Sequence, residues 1–163
     1  MKKFLFMVTL ALLAGTAKAQ FQAGKAYLGA SLTGLDMHYN GQNGFNIGLE
    51  AKAGLLFTDN WMMLGSISLN HNGSEAVADH LAATAGLRYY IVQNGLFLGL
   101  NGKYVHAEHN YNDVMPGAEL GYAFFVNRSV TIEPAVYYDH SFKNSDYSTV
   151  GLKIGIGIYL FDD

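Results

Sequence analysis

The chain has 163 residues, with 10 basic and 13 acidic side chains, 19 glycines, two prolines and no cysteine. That length suits one domain and hardly two. The charge balance offers no basic surface for nucleic acid, and the lack of cysteine excludes a disulfide framework.

The N-terminus has the three parts of an export signal. Lys2 and Lys3 form a charged start. Phe4 to Gly15 is an apolar run too short to span a bilayer, and Ala17-Lys18-Ala19 is a small-x-small cleavage site. These features predict a Sec-type signal peptide over residues 1–19, cleaved to leave a single domain over residues 20–163. Removing it takes away Lys2, Lys3 and Lys18 but no acidic residue, so the mature chain is acidic.

From there to the end the hydrophobic period is two rather than 3.6. In 45–57, Phe45, Ile47, Leu49, Ala51, Ala53, Leu55 and Phe57 share one face, opposed by Asn46, Gly48, Glu50, Lys52, Gly54 and Leu56. The segment 81–91 repeats this with Leu81, Ala83, Ala85, Leu87, Tyr89 and Ile91. The segment 150–160 repeats it with Val150, Leu152, Ile154, Ile156, Ile158 and Leu160. Segments 25–33, 61–70, 96–105, 117–126 and 130–139 fit the same template. Short turns rich in turn formers (Thr58-Asp59-Asn60, Gln93-Asn94-Gly95, Asn127-Arg128-Ser129) alternate with longer polar loops at 34–44, 71–80, 106–116 and 140–148. Eight strands with alternating short and long connections predict an all-β fold, an eight-stranded antiparallel up-and-down transmembrane β-barrel. Both termini and the short turns then lie on the periplasmic side.

The charges separate this fold from a soluble sandwich or lipocalin. No charged residue falls on the apolar face of any segment. A lipid-facing surface needs that composition, because a charge at the bilayer midplane costs about 2–4 kcal/mol. The other face is rich in Gly, Ser, Asn and Thr, with a few charges of both signs, which suits a narrow packed interior. Aromatics gather toward both ends: Phe57, Trp61, Tyr89, Phe124, Tyr159 and Phe161 on the periplasmic side, and Tyr39, Tyr104, Tyr138, Phe142 and Tyr147 on the outer side. They are expected to form two interfacial girdles.

The inward face carries Glu50, Lys52, Arg88, Lys103, Glu119, Glu133, Asp139 and Lys153, four acids and four bases. An eight-stranded barrel is just wide enough for side chains to fill it, so these charges must pair or stay hydrated. The expectation is an interlocking network that plugs the lumen; the alternative is a proton or ion path. Inward glycines (among them Gly99, Gly117, Gly121, Gly155 and Gly157) make room for the long charged side chains.

Signal peptide, alternating strands, charged interior and the aromatic terminal strand Gly155-Ile156-Gly157-Ile158-Tyr159-Leu160-Phe161 together resemble the small outer-membrane barrels. The OmpX/Ail type, the OmpA transmembrane domain and the broader outer membrane protein β-barrel domain family are of this kind. The resemblance covers the whole mature chain and rests on architecture rather than on a residue motif. It implies an integral bacterial outer-membrane protein with a structural or surface-interaction role. Its implied partners are outer-membrane lipid, lipopolysaccharide and the assembly machinery, and its implied state is a monomer. Asp162 and Asp163 follow the terminal aromatic that such machinery recognises, a departure from the usual ending.

Six histidines, His38, His71, His80, His106, His109 and His140, fall at the expected outer rim near Asp36, Asp79, Glu108, Asp113, Asp139 and Asp146. Imidazole with carboxylate suits zinc or copper, or lipopolysaccharide phosphates when protonated, but His106-x-x-His109 is not a diagnostic spacing. His140 and Ser141 are adjacent and so point to opposite faces of a strand, which shows no Ser-His-acid geometry. The sequence therefore predicts no catalytic residue, no metal site and no cofactor. A narrow channel for small solutes, as in the OmpW group, is the first functional alternative. A lipid A-modifying enzyme is the second.

Overall fold

Strands of period two need a surface on each face, and closing the sheet on itself supplies both at once. The computed structural model describes residues 21–35, 46–72, 80–91, 95–107, 111–143 and 148–160. Among these, eight strands form one antiparallel barrel. They are β1 (Ala26–Leu35), β2 (Asn46–Thr58), β3 (Trp61–Asn72), β4 (His80–Tyr90), β5 (Leu96–Ala107), β6 (Tyr111–Tyr122), β7 (Val130–Asp139) and β8 (Thr149–Leu160). Past Ala123, β6 resumes for Phe124–Phe125. Consecutive strands pair, and β1 pairs with β8 to close the sheet. Following paired residues from Tyr27 through Gly54, Leu64, Gly86, Asn101, Gly117 and Asp139 leads to Thr149, the first residue of β8. Tyr27 itself faces Tyr159 of β8, residue 159 rather than 149, and that ten-residue offset is the stagger of strands tilted by about 35–45°.

The barrel is inside-out relative to a soluble one. Leu100 is 70% exposed and Ile67 60%, while Arg88 is 1% exposed and Glu133 4%. Ile154, Ile156, Ile158, Leu49 and Leu120 likewise point outward. No described helix crosses a membrane; the strands themselves carry the apolar belt.

Most boundaries follow the alternation, with one substantial departure. The segment expected as a loop over 106–116 is largely strand, because β6 begins at Tyr111. Asn, Asp and Pro give it a loop-like composition, yet its parity is regular. Val114 is exposed, while Asp113 and Met115 are buried. Asp113, expected at the rim, lies inside and accepts a hydrogen bond from Ser141 Oγ at 2.6 Å. The segment 1–19 expected as a signal peptide, most of the loop expected over 34–44 and the tail from Phe161 lie outside the described residues.

Both prolines of the chain lie at the β6–β7 seam. Pairing there runs from Gly117–Asp139 to Gly121–Ala135, stops, and resumes at Phe124–Ile132. Continuing the register sets Tyr122 opposite Pro134. In the other direction His140 N–H donates to the Pro116 carbonyl at 2.8 Å. Proline has no N–H to return, so each end of the seam loses a ladder bond. Amide exchange at Ala118, Leu120, Val136 and Tyr138 should therefore be faster than across β2–β3, which pairs from Asn46–Asn72 to Leu56–Met62 without a break. Equal protection of the two seams, read by hydrogen–deuterium exchange, would contradict this.

Candidate functional site: the lumen

Arg88 on β4 organises the interior. Its guanidinium reaches across the lumen to two strands. Nη2 meets Glu119 Oε1 of β6 at 2.8 Å and Nε the same oxygen at 3.0 Å, while Nη1 meets Glu133 Oε2 of β7 at 2.8 Å. Such charge-assisted bonds satisfy a fork that burial would otherwise penalise. Lys153 of β8 pairs with the other oxygen of Glu119. Glu133 also accepts from Tyr27 Oη at 2.9 Å, Thr131 Oγ1 at 2.9 Å and Tyr159 Oη at 3.3 Å. One layer thus ties β1, β4, β6, β7 and β8 together.

Two smaller groups sit beside it. Glu50 of β2 accepts from Ser31 at 2.8 Å and Ser66 at 2.7 Å and lies 3.3 Å from Lys52. Lys103 of β5 contacts Asp139 of β7 at 2.6 Å, nearer the long-loop end and partly exposed. The eight charges expected on the inward face therefore all have opposite-charge contacts. Between the first two groups is a polar cavity of about 40 Å³ lined by Glu50, Lys52, Ser66, Thr84, Asn101 and Lys153, among others. That is room for roughly three waters.

Glycine makes this density possible. A Cβ on Gly157 would lie 2.6 Å from Thr131 Oγ1 and 2.7 Å from Glu133 Oε1, and one on Gly99 would collide with the Glu119 side chain.

An aromatic floor lies below the Arg88 layer, toward the short turns. Tyr27, Tyr90, Phe97 and Tyr159 are buried there with Phe21, Leu56 and Met62. The Arg88 guanidinium sits 3.9 Å from the Phe97 ring centroid, and Tyr90 Oη is 2.7 Å from Tyr159 Oη. Tyr159 is thus not part of the periplasmic girdle expected from its position near a strand end; it shares the inward face of β8 with Gly155 and Gly157. Parity alone would have located Tyr27, Tyr90, Phe97 and Tyr159. Phe57, Trp61, Tyr104, Tyr138 and Phe142 are exposed, while Tyr39, Tyr147 and Phe161 lie outside the described residues.

Among the described side chains, His106 and His140 have separate partners. His106 Nδ1 lies 2.7 Å from Asn112 Oδ1, and Tyr104 Oη donates to the same oxygen at 3.0 Å. His140 Nδ1 lies 3.2 Å from Tyr138 Oη and 3.4 Å from Ser148 Oγ. His71 and His80 occupy the long-loop ends of β3 and β4, whereas His38 and His109 are outside the described residues. No group of three or more metal-ligating side chains forms among those described.

No protein-family model matches the chain, and no curated protein matches it either. Solved structures do. The N-terminal β-barrel domain of Pseudomonas aeruginosa OprF superposes with a TM-score of 0.63 at 10% identity, covering 85% of this chain and 98% of that one. The outer membrane protein OprG from Pseudomonas aeruginosa gives 0.61 at 15% identity, covering 89% and 100%. The Yersinia pestis outer membrane protein Ail in a phospholipid bilayer nanodisc gives 0.58 at 15%, covering 84% and 99%. At such identities the likeness is one of architecture. The chain has the fold of the small eight-stranded outer-membrane barrels.

Proposed function

We propose that this chain is an integral outer-membrane barrel whose filled lumen makes it a structural or surface-interaction element. Export would proceed with cleavage after Ala19, leaving the short turns in the periplasm. The long-loop rim, with His106, His140, Tyr104 and Tyr138, would then face lipopolysaccharide headgroups. The observation that carries this reading is the Arg88 layer, which spans the lumen from β4 to Glu119 of β6 and Glu133 of β7 above the aromatic floor. A solute has no path through a layer whose charged groups are already bonded to one another.

Planar-bilayer recording of the purified barrel tests this. The expected trace has no stable conductance. A steady, voltage-independent open channel would refute the filled lumen and favour a second reading, a narrow passage for small solutes. The polar cavity of about 40 Å³ beside Glu50 and Lys153 supports that reading.

A further inference from the structure

At the short-turn end the chain before β1 leaves the line of the strand. Gly24 has a φ of +88°, which L side chains rarely adopt. Residues Phe21–Lys25 form a strap against the β2–β3 turn. Gly24 N–H donates to the Leu56 carbonyl at 2.7 Å, Asn60 N–H to the Phe21 carbonyl at 2.9 Å, and Leu56 N–H to the Lys25 carbonyl at 2.9 Å. Ala23 N–H donates to Asp59 Oδ1 at 2.9 Å. Gln22, Ala23 and Gly24 are exposed, yet Phe21 at the tip is fully buried.

The Phe21 ring enters a cage of three other rings. It stacks on Tyr90 of β4 at 3.7 Å between centroids and 10° between planes. It meets Tyr159 of β8 edge-on at 5.6 Å and 73°, and lies 5.6 Å from Phe125, tilted by 59°. The two inclined partners have the geometry a ring quadrupole favours, whereas the Tyr90 pair is close to face-to-face and is held by burial and contact area. Four of the five strap residues make the backbone contacts above; Lys25, opposite Leu56, continues the β1–β2 register, while Phe21, Ala23 and Gly24 depart from it.

We infer that Tyr90, Tyr159 and Phe125 form a binding site for a single aromatic ring, occupied in cis by Phe21, and that this occupancy closes the short-turn mouth of the lumen. The strap is a docked segment with its own anchor points, separable from the wall of the barrel. Undocking it would bare the Tyr90–Tyr159 hydroxyl pair and, behind it, the Arg88 layer. This deepens the filled-lumen reading at one end and rests on it there.

The lack of native cysteine gives a clean test. Met62 is fully buried on the lumen side, next to the β2–β3 turn. Met62→Cys in the folded, membrane-inserted barrel should react slowly with a small water-soluble thiol reagent. Adding Phe21→Ala should raise the rate at least tenfold, and toluene, a free ring of matching size, should restore the slow rate. An unchanged rate would overturn the plug, and a faster rate that toluene leaves unaltered would overturn the aromatic site. Should Phe21→Ala fail to insert, Gly24→Ala leaves the cage rings intact and strains the +88° φ that turns the strap inward; its rate should also rise and fall again with toluene, and an unchanged rate would overturn the plug. Failure of the filled-lumen reading would show separately, as conductance in the parent protein.

Discussion

Arg88→Met should destabilise the barrel by about 3–5 kcal/mol, the usual cost of removing one partner from a buried ion pair. The loss should be larger than for any other single inward charge. Glu119 would retain Lys153, but Glu133 would keep only the hydroxyls of Tyr27, Thr131 and Tyr159 around a buried carboxylate. Hydroxyls solvate that charge without neutralising it. The double variant Arg88→Met with Glu133→Gln should accordingly recover part of the loss, a positive coupling in a double-mutant cycle. Lys103→Met should cost less, because the Lys103 side chain is 23% exposed and water can replace it beside Asp139. Arg128, in the exposed turn before β7, is the surface control. Urea unfolding in lipid vesicles gives these values, with Glu133→Gln alone completing the cycle. Equal, small effects would mean independently hydrated charges and a wet interior.

Ile154→Arg should cost about 2–4 kcal/mol, for the opposite reason. Ile154 lies midway along β8 and is half exposed, with Leu32 and Pro134 as its strand neighbours. In lipid, that exposure is contact with hydrocarbon, and a guanidinium there has no partner. The same substitution at Val150, near the long-loop end of β8, should cost only about 0–1 kcal/mol, because the side chain reaches the headgroup region. A soluble barrel would show neither the cost nor its dependence on depth. Arginine is thus required at position 88 and excluded at position 154, and only the face of the sheet separates the two cases.

That contrast also explains what could be read in advance. Alternation assigns a face to each residue without any knowledge of pairing, so the inward position of Arg88, Glu119 and Lys153 follows from parity within their own segments. Their pairing does not. Arg88 meets Glu119 and Glu133 at separations of 31 and 45 residues, and those contacts depend on the stagger around the closed sheet, which no local pattern encodes. Asp113 was obscured by its neighbours: a polar stretch ending in proline has the composition of a loop even when its alternation is intact. Tyr159 was drawn outward by its nearness to a strand end, where aromatic girdles are common, against the parity of β8. Phe21 had no pattern to carry it. It precedes every alternating segment, and its burial depends on the positive φ at Gly24 and on rings contributed by three other parts of the chain.

The inside-out arrangement can be measured most directly with nitroxide labels on single cysteines at Val150, Leu152, Ile154, Ile156 and Ile158 in the vesicle-inserted protein. All five side chains point away from the lumen. Their labels should be accessible to oxygen, which concentrates in hydrocarbon, and shielded from a water-soluble nickel complex, with the greatest contrast at position 154. Access of the nickel complex to position 154 equal to that at an exposed turn position such as Arg128 would place this face in water and contradict a lipid-facing barrel.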